Sequence, residues 1–159
     1  MELAFEIRRA IPEDSTEIFN LIQLLAEYER APNQVVNSPE NIRFHGFGEN
    51  PIFYAWVATR QKRMDDGKQN DLLGMAICYI RYSTWKGPVL YLEDLVVKDE
   101  YRKLGVGSAL LDACLDFAKE KKHTRMTWQV LEWNEPAIKF YKKHGVTFDA
   151  EWLNCTIEL

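Results

Sequence analysis

Apolar positions along the chain change period several times, and each change marks a new element. Ile18, Leu21, Ile22, Leu25 and Tyr28 recur at three- and four-residue spacing, which predicts an amphipathic helix running on from Pro12, with Asp14 and Ser15 near its start. Ahead of it, Phe5 to Arg8 alternates weakly and predicts a first strand. Ser38 before Pro39 is a capping residue with proline at the first helical position, so a short second helix begins there. Phe53 to Thr59 and Leu72 to Tyr82 are β-rich runs flanking the polar stretch Gln61 to Asp71, which predicts a hairpin with an exposed connection. Lys86-Gly87-Pro88 is a turn into the next strand, Val89 to Val97. Val106, Leu110, Leu111, Cys114, Leu115 and Ala118 then line one face of a helix opened by Gly105 and Gly107. A strand is predicted at Met126 to Leu131. The helix after it is capped by Asn134, with Pro136 in its first turn, and ends at Gly145. Two short strands are expected near Thr147 to Asp149 and Asn154 to Leu159. The order β-α-α-β-β-β-α-β-α-β(-β) describes a mixed sheet with helices on its faces, an α/β or α+β architecture.

At 159 residues the chain has the length of one domain, 1–159, and can bury about two-thirds of its unfolded surface. Lys and Arg number 20 against 24 Asp and Glu, a net charge of −4, and no basic stripe appears, so no nucleic-acid partner is expected. Cys78, Cys114 and Cys155 are far apart among apolar neighbours and read as buried, reduced thiols. His45, His123 and His144 show no ligand spacing, and no metal site is expected. The amino terminus has an acid at position 2 and no apolar core, unlike a signal peptide. The uncharged run Leu72 to Ile80 is far short of the roughly 20 residues that span a bilayer. The expectation is a cytoplasmic protein with no membrane partner.

The most informative stretch is YLEDLVVKDEYRKLGVGSALL, Tyr91 to Leu111, where a strand runs through Arg102-x-x-Gly105-x-Gly107 into a helix. Glycines let the backbone approach a ligand closely, and successive N–H groups at a helix start form an anion site suited to a diphosphate. A strand-to-helix corner that merely needs glycine to turn gives the same pattern. Three other phosphate or nucleophile motifs fail. A dinucleotide fingerprint needs a small residue where Leu110 stands, a Walker A loop needs Gly-Lys-Ser/Thr, and in a nucleophile elbow Ser108 would need a glycine two places on.

The pattern resembles the coenzyme A pyrophosphate loop of the GNAT superfamily of N-acetyltransferases. YLEDLVV before the loop, EWNEPAIKFYKKHG (Glu132 to Gly145) after it and HGFGENP (His45 to Pro51) are similar to the diamine N-acetyltransferases, which include the spermidine/spermine and thialysine enzymes. The resemblance implies a mixed, mostly antiparallel central sheet with helices on both faces, acetyl-CoA as co-substrate, a small-molecule amine as acceptor, and a homodimer. By the same resemblance Leu95, Val96 and Val97 offer main-chain groups to the acetyl and pantetheine portion. Arg102 opens the loop, and Lys103, Leu104, Gly105, Val106, Gly107 and Ser108 hold the pyrophosphate. Asn134, Glu135, Pro136 and Ala137, with Tyr141, flank the pantetheine and thiol.

Amine acetylation poses two proton problems, at the ammonium and at the departing thiolate. Tyr141 lies two helical turns after Asn134, hence on the same face, and the resemblance makes it the acid beside the thioester sulfur. As a core aromatic it would only be a wall, a role that Phe140 fits better. Glu93 and Asp94 are adjacent acids in an apolar strand. Neighbouring strand residues face opposite ways, so both can line one pocket only if a bulge intervenes. The resemblance assigns Glu93 to the amine site as proton acceptor, and Tyr28, Glu29 and Trp85 to the amine-binding side. The spermidine/spermine pattern has acids where this chain has Pro32, Asn33 and Ser83, while Ser83-Thr84-Trp85-Lys86-Gly87 looks like the thialysine branch. That favours a small amine, one able to carry its own carboxylate, over a long polycation. Acetylation of a protein amine and a non-catalytic coenzyme A-binding module are the alternative readings.

Overall fold

The computed structural model describes residues 3–60 and 71–159, so most of the polar stretch between the second and third strands, 61–70, lies outside the described residues. The chain divides into two compact units, Met1–Trp128 and Gln129–Leu159.

The first unit carries the sheet. Its elements are β1 (Phe5–Arg9), α1 (Ser15–Tyr28), α2 (Pro39–Phe47), β2 (Tyr54–Arg60), β3 (Leu72–Ser83), β4 (Gly87–Val97), α3 (Val106–Glu120) and β5 (Met126–Thr127). The strands stand in the order β1-β2-β3-β4-β5. The first three pairings are antiparallel, and β4 meets β5 in parallel, the crossover being supplied by α3. This is the mixed, mostly antiparallel sheet that the sequence implies.

Local chemistry explains where the helices begin. The Ser38 hydroxyl accepts a hydrogen bond from the Asn41 N–H at 3.1 Å, with Pro39 in the first turn, as the sequence predicts for α2. Before α1 the chain makes a short 3-10 turn, Pro12–Asp14. The fully buried Asp14 accepts two hydrogen bonds from the Arg8 guanidinium, at 2.7 and 2.9 Å, and one from the Ile11 N–H at 2.9 Å. The bidentate pair ties the end of β1 to the start of α1.

Helices cover both faces of the sheet. Ile18 and Leu21 of α1 and Ile42 of α2 pack with Ala55, Val57, Met75, Ile77 and Val96 on one side. The alternate positions of β2 face the other way. The rings of Tyr54 and Trp56 lie 4.9 and 5.2 Å from that of Phe117 on α3. Leu110, Leu111 and Cys114 complete that second buried layer.

The second unit holds one helix, α4 (Glu135–Lys143). The Asn134 side chain caps it by accepting from the Ala137 N–H at 3.3 Å, and Gly145 leaves it with φ +72, both as predicted.

Four expectations are corrected. The strand predicted at Met126 to Leu131 is only Met126–Thr127, and neither 147–149 nor 154–159 forms a strand. Alternation tells which face a residue would take, but not that a second strand presents its N–H and C=O groups in register. Cys155 is exposed, whereas Cys78 and Cys114 are buried as expected.

Candidate active site

The decisive geometry lies in the middle of β4. Ile77 of β3 pairs with Asp94, but the next residue, Cys78, pairs with Leu92, so Glu93 is an extra residue in β4. This is the β-bulge that two adjacent acids require in order to share a side of the sheet. Asp94 takes the face of its partner Ile77, which is the face that α1 covers. The Glu93 charge acts on Asp94 and on Tyr79 and Tyr91, whose rings pair across the strands at 5.1 Å.

Asp94 is the group that sequence reasoning left without a role. Its carboxyl is pushed up to about 7, first by burial and then by the negative charges of Glu93 and Glu29. Glu29 follows directly on α1, and burial raises its carboxyl too. Three carboxylates therefore converge on one face, with the Asp94 carboxyl able to hold a proton near neutral pH. The sequence signal was the Glu93-Asp94 pair itself, an acidic step within apolar YLEDLVV.

The shift has a stability consequence. Folded Asp94 keeps its proton to a higher pH than the unfolded chain does, so its contribution is fully present below about pH 4 and lost as pH rises through 7. Asp94→Asn removes that loss. The gain is at most about 4 kcal/mol above pH 8, and about half that for a half-buried group partly screened by water. Thermal melts of the variant and the parent at pH 4.5 and 8 are expected to diverge only at the higher pH.

Tyr28 closes α1 and Glu29 follows it, so both reach this end of the sheet. The Arg102 guanidinium lies 5.0 Å from the centre of the Tyr28 ring, donates to the Val97 carbonyl at 3.1 Å and pairs with Asp99 at 2.9 Å. Its side chain thus braces the end of β4 and turns toward α1. Trp85 is elsewhere. It sits at the tip of the β3–β4 hairpin, 88% exposed, and five register steps, about 17 Å, separate the turn from the bulge. The chain does not bring Trp85 to Glu93.

Past the bulge, β5 pairs with β4 only at Leu90 and Tyr91. Among the described residues no strand of the sheet ladders with the outer edge of β4 from Leu95 to Val97, where the Val97 carbonyl accepts from Arg102. The loop that follows holds Lys103 at φ +63 and Gly105 at φ +87. Gly105 is the cap position of α3 and no side chain caps that end. The first N–H groups of a helix have no acceptor within it, and those of Val106 and Gly107 are of this kind. Lys103, Leu104 and Gly105 are exposed beside them. Such alternating backbone handedness at a helix start suits a diphosphate.

In the second unit Asn134 and Tyr141 are both buried, each 8% exposed, as residues two turns apart on one helical face should be. Glu135 and Pro136 are exposed and Ala137 is half-buried. Tyr141 is the buried aromatic and Phe140 only half-buried, the reverse of the expectation that Phe140 better fits a core position.

Cys78 stands in register with Leu92, beside the bulge. Its thiol lies on the opposite face. A hydrogen bond with Cys114 and then burial drive its pKa far up, which leaves it a poor nucleophile. Among the described residues no group of three ligating side chains gathers to hold a metal, and no helix is long and apolar enough to cross a membrane.

A bulged central strand and a glycine-started helix are carried on the fold of an acetyltransferase, and the chain belongs to the acetyltransferase (GNAT) family, whose model matches residues 19–146. It is similar to the thialysine N-epsilon-acetyltransferases of Sus scrofa, 39% identical over 87% of this chain and 82% of that one, and of Bos taurus, 38% identical over 94% and 89%. It is also 34% identical, over 89% of its length, to a human spermidine/spermine N(1)-acetyltransferase-like protein 1, of which the match covers 20%. The fold is shared with a soil-metagenome aminoglycoside acetyltransferase solved with sisomicin, at TM-score 0.76 and 20% identity over 98% and 96% of the two chains. It is shared too with a ribosomal-protein-alanine N-acetyltransferase from Brucella melitensis biovar Abortus 2308, at TM-score 0.70 and 21% identity over 98% and 99%. Fold alone therefore does not choose between small-molecule and protein amines.

Proposed function

We propose that the protein transfers an acetyl group from acetyl-CoA to the primary amine of a small molecule of diamine, polyamine or thialysine type, by direct attack in a ternary complex. The observation that carries this reading is the bulge that gathers Glu93, Asp94 and Glu29 on one face. An alkyl ammonium with a pKa near 10.4 is only about 0.04% free base at pH 7, a penalty of roughly 4–5 kcal/mol. Carboxylates next to the bulge attract the cation, and Glu93 accepts its proton, directly or through water. Asp94, pushed up to about 7 by burial and the neighbouring negative charges, holds a proton next to Glu93 near neutral pH.

Acetyl-CoA supplies the activated thioester carbonyl, and the family generally uses it as donor. The backbone at 103–108 fits its diphosphate and the edge at Leu95 to Val97 its amide-bearing arm. Asn134 to Ala137 flank that arm, and Tyr141 protonates the departing thiolate. The thialysine relatives support a small amine. The same reading has a cytoplasmic homodimer of a single domain, 1–159, with Tyr28 contributing to amine recognition.

A thiol-release assay with diamines, polyamines, thialysine, lysine and a short peptide tests the proposal. Turnover of small amines above the peptide is expected, and acetylation of the peptide alone would overturn it. Asp94→Asn is expected to lower kcat/KM about 10-fold and to abolish the limb near pH 7 in its pH profile. A profile unchanged in shape would remove Asp94 from the proton path.

A further inference from the structure

Beyond the bulge, toward the hairpin tip, the same face of the sheet changes character in order. Tyr79 pairs with Tyr91 one step past the bulge, and their half-buried rings stand 5.1 Å apart. Arg81 follows two residues after Tyr79, hence on the same side, opposite Val89. Its positive charge is close enough to counter the burial and the Glu93 charge that raise both tyrosines. Arg81 is exposed, and among the described residues it makes no ion pair or side-chain hydrogen bond. One face thus runs from anionic (Glu29, Glu93, Asp94) through aromatic (Tyr79, Tyr91) to cationic (Arg81).

We infer that Arg81 selects the far end of the acceptor, holding the α-carboxylate of a lysine-length amino acid whose chain lies along Tyr79 and Tyr91 and whose terminal amine sits at Glu93. Four strand steps separate Ile77, the partner of Asp94, from Arg81, about 13 Å between backbones. Strand side chains stand roughly perpendicular to the sheet, so the charged ends keep about the same separation, which an extended lysine-length amino acid bridges with a hydrogen bond at each end. A planar guanidinium that pairs with no described side chain matches a carboxylate in charge and in geometry. A diamine of equal length offers the bulge the same ammonium but offers Arg81 a second cation, which it repels. This inference rests on the small-amine reading above and adds to it the group at the other end.

The test compares lysine and thialysine with the diamine that lacks the carboxylate, in wild type, Arg81→Gln and Arg81→Lys. Arg81→Gln is expected to lower kcat/KM about 10- to 100-fold for the amino acids, mostly through KM, and less than about 3-fold for the diamine. Arg81→Lys keeps the charge and should recover part of the loss. Equal losses on both substrates, or no loss on the amino acids, would overturn the inference. Wild-type turnover of the diamine but not of the amino acids would overturn it while sparing the small-amine reading. Wild-type turnover of neither would bring down both.

Discussion

Gly105→Asp and Gly107→Asp are each expected to yield a folded protein that no longer binds coenzyme A. A side chain at Gly105 meets no atom within 4 Å, so the cost to the fold is the left-handed backbone at φ +87. That is about 1–2 kcal/mol for an L residue, small enough for the domain to survive. Gly107 lies in the first turn of α3, where an aspartate even suits the helix dipole. The loss falls on the ligand. The new carboxylate takes up the N–H groups that a diphosphate would use and repels its charge, so affinity should fall by about 100-fold or more. Calorimetric titration with coenzyme A checks this, with thermal melts to establish folding. Unchanged affinity in either variant would remove the diphosphate from this loop.

Tyr141→Phe is expected to lower kcat by about 100-fold, the low end for losing a positioned acid, with acetyl-CoA binding nearly unchanged. The substitution deletes one hydroxyl and keeps the ring, and Tyr141 is the buried aromatic of α4, so its packing is retained. A thiolate is a tolerable leaving group near neutral pH, which limits the effect. A residue that serves only as a wall would alter neither constant by more than a few-fold. Measuring kcat at saturating amine, together with the affinity for acetyl-CoA, separates the two roles.

Elements governed by local chemistry were legible in the sequence. The apolar spacing of α1 and α3, the caps at Ser38 and Asn134 and the stop at Gly145 depend on residues within one or two turns, and each appears where the pattern predicts it. The β2–β3–β4 meander was legible for the same reason, since turn residues separate strongly apolar runs. What escaped depends on distant partners. Asp14 reads as a helix-start acid, but Arg8 from the neighbouring strand decides that it is buried. The extra residue in β4 exists only relative to β3, so YLEDLVV states the need for a bulge and the pairing of Ile77 and Cys78 locates it. The exposed tail alternates like a strand yet forms none, because alternation carries no information about a partner.

The bulge also sets what the core can tolerate. Without one extra residue at Glu93, every side chain from Asp94 to Val97 would swing to the opposite side of the sheet. Val96, now 3% exposed beside Met75 and Ile77, would leave the layer under α1, and Leu95 would enter it. Deleting a single residue of β4 near Glu93 should therefore cost the protein its folding as well as its chemistry. The hydrophobic interior acts as a frame check on the carboxylates. Selection for a stable fold holds the acids in phase even when it is blind to the reaction they serve.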